Sequence, residues 1–152
     1  MIGVIDIGVC NTASIKNALL QLGYYPKVVR NRFDLFSCSH VIMPGVGHFD
    51  SVINSLRLFD LYDALLEYLS TPGRYYLGIC VGMQILFTKS EEGEESGLGI
   101  FEGGVSRFRC ISGELLPPNM GKQPIFDQNV NTSALRFYFM HSYSCIYGLI
   151  LM

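Results

Sequence analysis

Arg74-Tyr75-Tyr76-Leu77-Gly78-Ile79-Cys80-Val81-Gly82-Met83-Gln84 decides the reading of this 152-residue chain. The apolar run Tyr75 to Ile79 reads as a buried strand, and the run Met83 to Phe87 after it opens a helix. Cys80 stands at the junction. Gly-x-Cys-x-Gly is the thiol counterpart of the Gly-x-Ser-x-Gly nucleophile elbow, in which flanking glycines permit a turn too tight for any Cβ. Such a turn lifts the side chain above the carboxyl ends of the strands, beside helix N–H groups that favour an anion, and the thiolate is the reactive form of cysteine. A cysteine after an apolar strand is also commonly a small buried hydrophobe. The two glycines, with a strand before and a helix after, favour the nucleophile.

Upstream, strands and helices alternate. Ile2 to Ile7 reads as a strand, followed by a helix capped at Asn11 or Thr12 and running to about Leu22, with Ile15, Ala18, Leu19 and Leu22 on one face. Tyr25 to Arg30 is a second strand, Phe33 to Cys38 reads equally as strand or helix, and His40 to Met43 is a third strand that runs into Pro44-Gly45-Val46-Gly47. Asp50 to Arg57 and Asp60 to Leu69 carry helical spacing, and Thr71-Pro72-Gly73 breaks before the elbow strand. This order predicts an α/β fold, an open, mostly parallel, flavodoxin-like sheet with helices on both faces, whose ligands gather at the carboxyl ends of the strands. Downstream, Ser90 to Gly97 reads as an acidic solvated loop, and Gly99 to Phe108 as a strand broken by a hairpin or bulge at Gly103-Gly104. Ile111 to Ala134 reads as mostly irregular surface, and Leu135 to Met140 as a last strand. The length suits a single domain, 1–152, and no linker marks a second.

Composition narrows the function. A hydrophobic share of 49% with 16% charged residues fits strands covered on both faces. A net charge of −2 gives no electrostatic footprint for nucleic acid or for an anionic membrane. Five cysteines at irregular spacings, with no Cys-x-x-Cys pair, indicate neither a disulfide framework nor a zinc site, so neither metal nor cofactor is expected. Asp6 interrupts the first apolar run, no basic segment precedes it, and no apolar run reaches membrane-spanning length. A reducing cytoplasm is the expected setting.

A cysteine nucleophile needs a base, a group to orient that base, and N–H donors aimed at the oxyanion. The Val81 amide supplies one donor, and the strand end Gly45-Val46-Gly47 is the candidate for a second. Of the three histidines, His40, His48 and His141, His141 is the best base candidate by position. A structural role fits it at least as well, since no carboxylate lies within two residues of it.

These residues resemble a known family. Ile5-Asp6-Ile7-Gly8 with Asn11, Lys16-Asn17-Ala18-Leu19, Met43-Pro44-Gly45-Val46-Gly47-His48-Phe49 and Leu77-Gly78-Ile79-Cys80-Val81-Gly82-Met83-Gln84 are similar to the class I, triad-type glutamine amidotransferases. Within that class they are similar to the glutaminase subunit of imidazole glycerol phosphate synthase. Ser90-Glu91-Glu92-Gly93, Gly97-Leu98-Gly99 through Val105-Ser106-Arg107-Phe108, Pro118-Asn119-Met120-Gly121 and Phe139-Met140-His141-Ser142-Tyr143 extend it over nearly the whole chain.

The resemblance implies that Cys80 attacks the side-chain amide of glutamine, with the Val46 and Val81 amides at the oxyanion. It places Gly47, Gln84, Glu92, Ser142 and Tyr143 at glutamine-recognition positions, which gives the acidic loop a role. It also implies a separate (β/α)8-barrel synthase subunit that receives the ammonia in histidine biosynthesis. In the family the base and its orienter come from a His-Pro-Glu segment that does not occur here, so the sequence resembles a member without its final strands and terminal helix. The family's His-Ser-Tyr histidine is a different residue from that base. Cys10 stands where a glycine is usual, and Lys122 where tryptophan is common. Three alternatives stand beside this reading: an amidotransferase subunit of surface-sugar biosynthesis, a catalytically inactive glutamine-binding or regulatory remnant, and a shortened reading frame with an exposed apolar sheet edge.

Overall fold

The structure, a computed structural model, describes residues 1–45, 47–110, 112, 116–124 and 136–147. In chain order the first elements are β1 (Ile2–Ile5), α1 (Thr12–Gln21), β2 (Lys27–Val29), α2 (Arg32–Ser37), β3 (His40–Met43), α3 (Phe49–Leu58), α4 (Tyr62–Ser70) and β4 (Tyr75–Gly78). Then come α5 (Val81–Gln84), β5 (Phe87–Ser90), β6 (Phe101–Arg107), β7 (Asn119–Pro124), β8 (Arg136–His141) and β9 (Tyr143–Tyr147). They form two compact units, one of Met1–Val105 with the chain from Cys145, the other of Ser106–Ser144.

In the first unit four strands lie parallel in the order β2-β1-β3-β4, with Val4 beside Val28 and Ile42, and Met43 beside Gly78. Parallel crossovers are right-handed. The step from β1 to β2 runs opposite to the steps from β2 to β3 and from β3 to β4, so α1 covers one face of the sheet while α2, α3 and α4 cover the other. The chain therefore changes direction between β1 and β3, the place where open α/β sheets leave a crevice at their carboxyl ends.

Under α3 and α4 the core is dense: Phe49, Val52, Ile53, Leu56, Leu61, Leu65 and Tyr68 are fully buried with Ile5, Val41 and Met43 of the sheet. Gly3 belongs to the same fit, since a Cβ there meets Val29 Cγ2 at 2.7 Å and Cys38 Sγ at 2.8 Å. The ambiguous Phe33 to Cys38 stretch is helical: the Asn31 side chain accepts the Asp34 N–H at its start, and Leu35 is buried. Arg30, just past β2, donates to Asp6 just past β1, at 2.7 Å, and this bond is the main cause holding the Asp6 carboxyl below its ordinary range.

Four expectations change. The strand Tyr75 to Ile79 is not buried: β4 is the edge of the sheet, and Tyr75, Leu77 and Ile79 are exposed. The apolar face of α1 is mostly open, with Leu19 buried while Ala18 and Leu22 are exposed. The run Met83 to Phe87 is not one helix: α5 stops at Gln84, and Phe87 begins β5. Part of the stretch read as irregular is strand β7; most of the remainder lies outside the described residues. The Gly103-Gly104 interruption is a bulge: Phe87 pairs with Phe101 but Lys89 with Gly104, and the Thr88 hydroxyl donates to the Gly103 carbonyl. β5, β6 and β9 are neighbours in that order.

The second unit is an antiparallel ribbon in which Met120 pairs with Met140 and Lys122 with Tyr138. All four of these side chains are exposed. The Phe108 N–H donates to the Ser142 carbonyl at 2.9 Å, and His141 lies against the rings of Phe108 and Phe139.

Leu65 is fully buried and Leu58 is 80% exposed, so Leu65→Ala is expected to cost about 2–5 kcal/mol of stability. Leu58→Ala stays within about 0.5 kcal/mol of the parent. Urea unfolding of the two variants checks this.

Candidate functional site

Cys80 sits between β4 and α5 with φ +55° and ψ −115°, one of two non-glycine residues among those described with positive φ. An L-residue is strained there and keeps that conformation only where its surroundings over-determine it. Three glycines do so. A Cβ on Gly82 collides with the Met43 carbonyl at the end of β3, and one on Gly78 collides with the backbone of Gly82 itself. One on Gly45 meets the Ile79 carbonyl at 2.8 Å and the Val81 carbonyl carbon at 2.9 Å. Backbone thus packs directly on backbone where β3, β4 and α5 meet, and the Ile79 N–H donates to the Met43 carbonyl at 3.0 Å. With its two neighbours gripped this way, the Cys80 side chain is left exposed.

α5 is a single turn. The Cys80 carbonyl accepts the Met83 and Gln84 N–H groups at 2.9 and 3.1 Å, but the Leu86 N–H goes to Met83 rather than to Gly82, four residues back. The Gly82 carbonyl is taken instead by the Tyr76 hydroxyl at 2.6 Å. That exchange is why the apolar run splits into helix and strand. Gln84, at the end of the turn, is 5% exposed, and its Oε1 is buried with no hydrogen-bond partner among the described residues.

The second wall is the segment after β3. His48 caps α3 by accepting the Asp50 N–H at 3.3 Å. Glu92 Oε2 accepts the Phe49 N–H at 2.9 Å, at the positive end of the same helix. Asp50 answers across the gap, accepting the Glu94 and Glu95 N–H groups at 3.0 Å each, and Gly93 lies so close that a Cβ there falls on the Asp50 carboxylate. Arg57 pairs with Glu95 from further along α3. Burial draws the Asp50 carboxyl upward, yet the Glu95 and Glu94 N–H groups and His48 outweigh it and leave it below the ordinary range. The acidic stretch is therefore a loop locked to α3 rather than a solvated turn.

Of the residues singled out in sequence, Cys80, Val81, Gly47, Gln84 and Glu92 belong to the first unit, around the carboxyl ends of β3 and β4. Val46 lies outside the described residues. Ser142 and Tyr143 belong to the second unit. His40 is at the opposite, amino end of β3, stacked on Tyr75. There a cavity of about 500 Å³ lined by Met1, Ile2, Tyr24, Tyr25, Ser39 and His40 opens, remote from the thiol. Asp50 and Tyr76 went unread in sequence, because a carboxylate in an amphipathic helix and a tyrosine in a strand carry no local signal of what they hold. Cys145 was likewise not singled out: burial pushes its thiol up, and Cys80 adds to the shift. No cluster of three or more His, Cys, Asp or Glu among the described residues is placed to hold a metal ion, and none of the helices described is long and apolar enough to cross a membrane.

A parallel α/β sheet thus carries an exposed cysteine on a strained strand-to-helix turn, the geometry of a nucleophile elbow. The family model for class-I glutamine amidotransferases matches residues 3–146. An imidazole glycerol phosphate synthase subunit HisH from Leptospira interrogans is 39% identical over 151 residues, covering 94% of this chain and 74% of that relative. A namesake from Synechococcus sp. (strain CC9902) is 38% identical over 152 residues, covering 95% and 70%. A solved glutamine amidotransferase superposes with a TM-score of 0.73 at 20% identity, over 97% of this chain and 75% of that one, a likeness of fold. The chain belongs to the class-I glutamine amidotransferase family.

Two outcomes are expected. Gly82→Ala drives a methyl into the Met43 carbonyl and should destabilise the chain by at least about 2 kcal/mol, whereas Gly73→Ala, with φ +77° and open space, carries only left-handed strain of about 1 kcal/mol. Thermal unfolding compares them. Because its folded-state pKa is depressed, Asp50 gives its full stabilisation above the ordinary carboxylate range near about 4 and loses it as pH falls below that range. In Asp50→Ala the Glu94 and Glu95 amides should exchange with solvent faster at pH 7, and the acid-side loss should shrink. Hydrogen exchange and acid titration read both.

Proposed function

We propose that the chain is the glutaminase subunit of an imidazole glycerol phosphate synthase, hydrolysing glutamine through Cys80 and passing the ammonia to a (β/α)8-barrel partner in histidine biosynthesis. The observation that carries this is the exposed, positive-φ Cys80 held between the ends of β3 and β4. In this reading the Cys80 thiolate attacks the side-chain amide carbon, and the oxyanion that forms takes the Val81 N–H, with Val46 as second donor. Ammonia leaves with the proton the thiol gave up, and water then cleaves the thioester to give glutamate.

Glu92, fixed at the start of α3, offers its carboxylate to the substrate ammonium. Gln84 Oε1, without a partner among the described residues, calls for an N–H donor, which glutamine brings. Gly47, Ser142 and Tyr143 complete the recognition set that family membership suggests. His40 and His48 are engaged elsewhere, and His141 is the first residue to test as base.

The ribbon of the second unit suits a docking role. Met120, Tyr138 and Met140 form an exposed apolar face beside Lys122, and a two-stranded ribbon is marginal by itself in water.

Treating the folded chain with a γ-diazoketone analogue of glutamine should label Cys80 and spare the other cysteines, as read by peptide mass spectrometry. With the barrel subunit present, Cys80→Ala should lower glutamine-dependent ammonia release by at least about 10³-fold. Labelling without any release, with or without the partner, points instead to a glutamine-binding module that does not turn over. Met140→Asp should weaken association with the barrel at least about tenfold while leaving Cys80 labelling unchanged.

A further inference from the structure

We propose that Tyr76 is a positioning residue for the nucleophile: by holding the Gly82 carbonyl, its hydroxyl ends α5 after one turn and keeps Cys80 in its strained, exposed conformation. The catalytic consequence rests on the glutaminase reading, but the geometry does not. Side chains alternate along β4, so Tyr76 and Gly78 point to one face while Tyr75, Leu77 and Ile79, all exposed, point to the other. Both inward positions address the same residue. Gly78 leaves the space that the Gly82 backbone occupies, and Tyr76 supplies the hydrogen bond that Gly82 needs, at 2.6 Å.

In a helix that continued, the Gly82 carbonyl would accept the Leu86 N–H. That N–H is given to Met83 at 3.1 Å instead, which turns the chain out of the helix and into β5. Burial pushes the Tyr76 phenol far up, and Cys10 adds to it, so the hydroxyl remains a donor throughout the working pH range. Without it, the buried carbonyl has one nearby remedy: the Leu86 N–H moves from Met83 to Gly82. α5 then rewinds toward a regular helix, and the turn that lifts Cys80 relaxes.

The control is Tyr68, whose hydroxyl also donates to a carbonyl, that of Cys38 at 3.1 Å, just ahead of β3 at the opposite end of the sheet; Arg74 holds that carbonyl as well, at 2.7 Å, so this variant measures the loss of a tyrosine hydroxyl away from the thiol. Tyr76→Phe and Tyr68→Phe each delete one oxygen and keep the ring. Both are expected to fold, by circular dichroism, with lowered Tm. Alkylation of Cys80 by iodoacetamide, followed by peptide mass spectrometry, needs no glutamine site. It should slow at least fivefold in Tyr76→Phe and stay within twofold of the parent in Tyr68→Phe. With the γ-diazoketone, Tyr76→Phe should lower the maximal labelling rate and leave the half-saturating concentration unchanged.

A parent-like iodoacetamide rate in Tyr76→Phe, or equal slowing in both variants, overturns the proposal and makes Tyr76 a structural residue only. If the parent resists the diazoketone while the iodoacetamide contrast holds, the glutaminase reading fails and the role of Tyr76 stands. Should Tyr76→Phe not fold, Tyr76→Trp, whose ring N–H offers a donor in place of the hydroxyl, decides by the same ratio: parent-like reactivity where the ring N–H bonds the Gly82 carbonyl, or a fivefold loss in a folded chain where it does not, supports the role, and parent-like reactivity without that bond, or a fivefold loss with it, rejects it.

Discussion

Three backbones meet without side chains between them where Gly45, Gly78 and Gly82 face one another, and the first unit is arranged about that contact. Close packing leaves no room for even one methyl there, so β3, β4 and the turn after β4 meet backbone to backbone. The residue left over, Cys80, is forced into positive φ and out toward solvent. Strain of this kind persists only where neighbours prevent its release. The dense layer of α3 and α4 against the sheet provides that resistance, since it fixes β3, whose Met43 carbonyl is the wall that Gly82 meets.

A second constraint is electrostatic and joins the site's other edge. The start of α3 presents N–H groups to Glu92, while Asp50 of the same turn receives N–H groups from the loop that carries Glu92. Each carboxylate satisfies the backbone of the other's segment. The exchange ties an otherwise exposed acidic loop to the helix that begins just after Gly47. The barrier to moving either part is therefore shared by both.

The alternation of strands and helices was legible because the strands read as apolar runs, even β4 with one face open, and breakers such as Thr71-Pro72-Gly73 separate them. The elbow was legible too, since glycines two residues either side of a cysteine mark a turn by steric necessity. The end of α5 was not, because apolar residues continue through Ile85 to Phe87 and the stop is imposed by a hydroxyl from β4. The place of β7 was hidden for a similar reason: Asn119 to Pro124 has no strand periodicity, and its partner lies downstream in β8. Glu92 became a site residue through family likeness, whereas its lock to α3 rests on Asp50, which local pattern reads as an ordinary first-turn acid. What sequence conveys here is local sterics, and what it withholds is long-range hydrogen bonding.

The strain at Cys80 can be weighed by comparing the unfolding free energies of Cys80→Gly and Cys80→Ala. At an ordinary backbone position alanine is the more stable by about 0.5–1 kcal/mol, because glycine has more freedom to lose. At φ +55° the order should reverse, with glycine ahead by about 1 kcal/mol or more, since it alone escapes the strain. Alanine ahead of glycine would mean that the elbow does not hold its cysteine in the conformation on which the account depends.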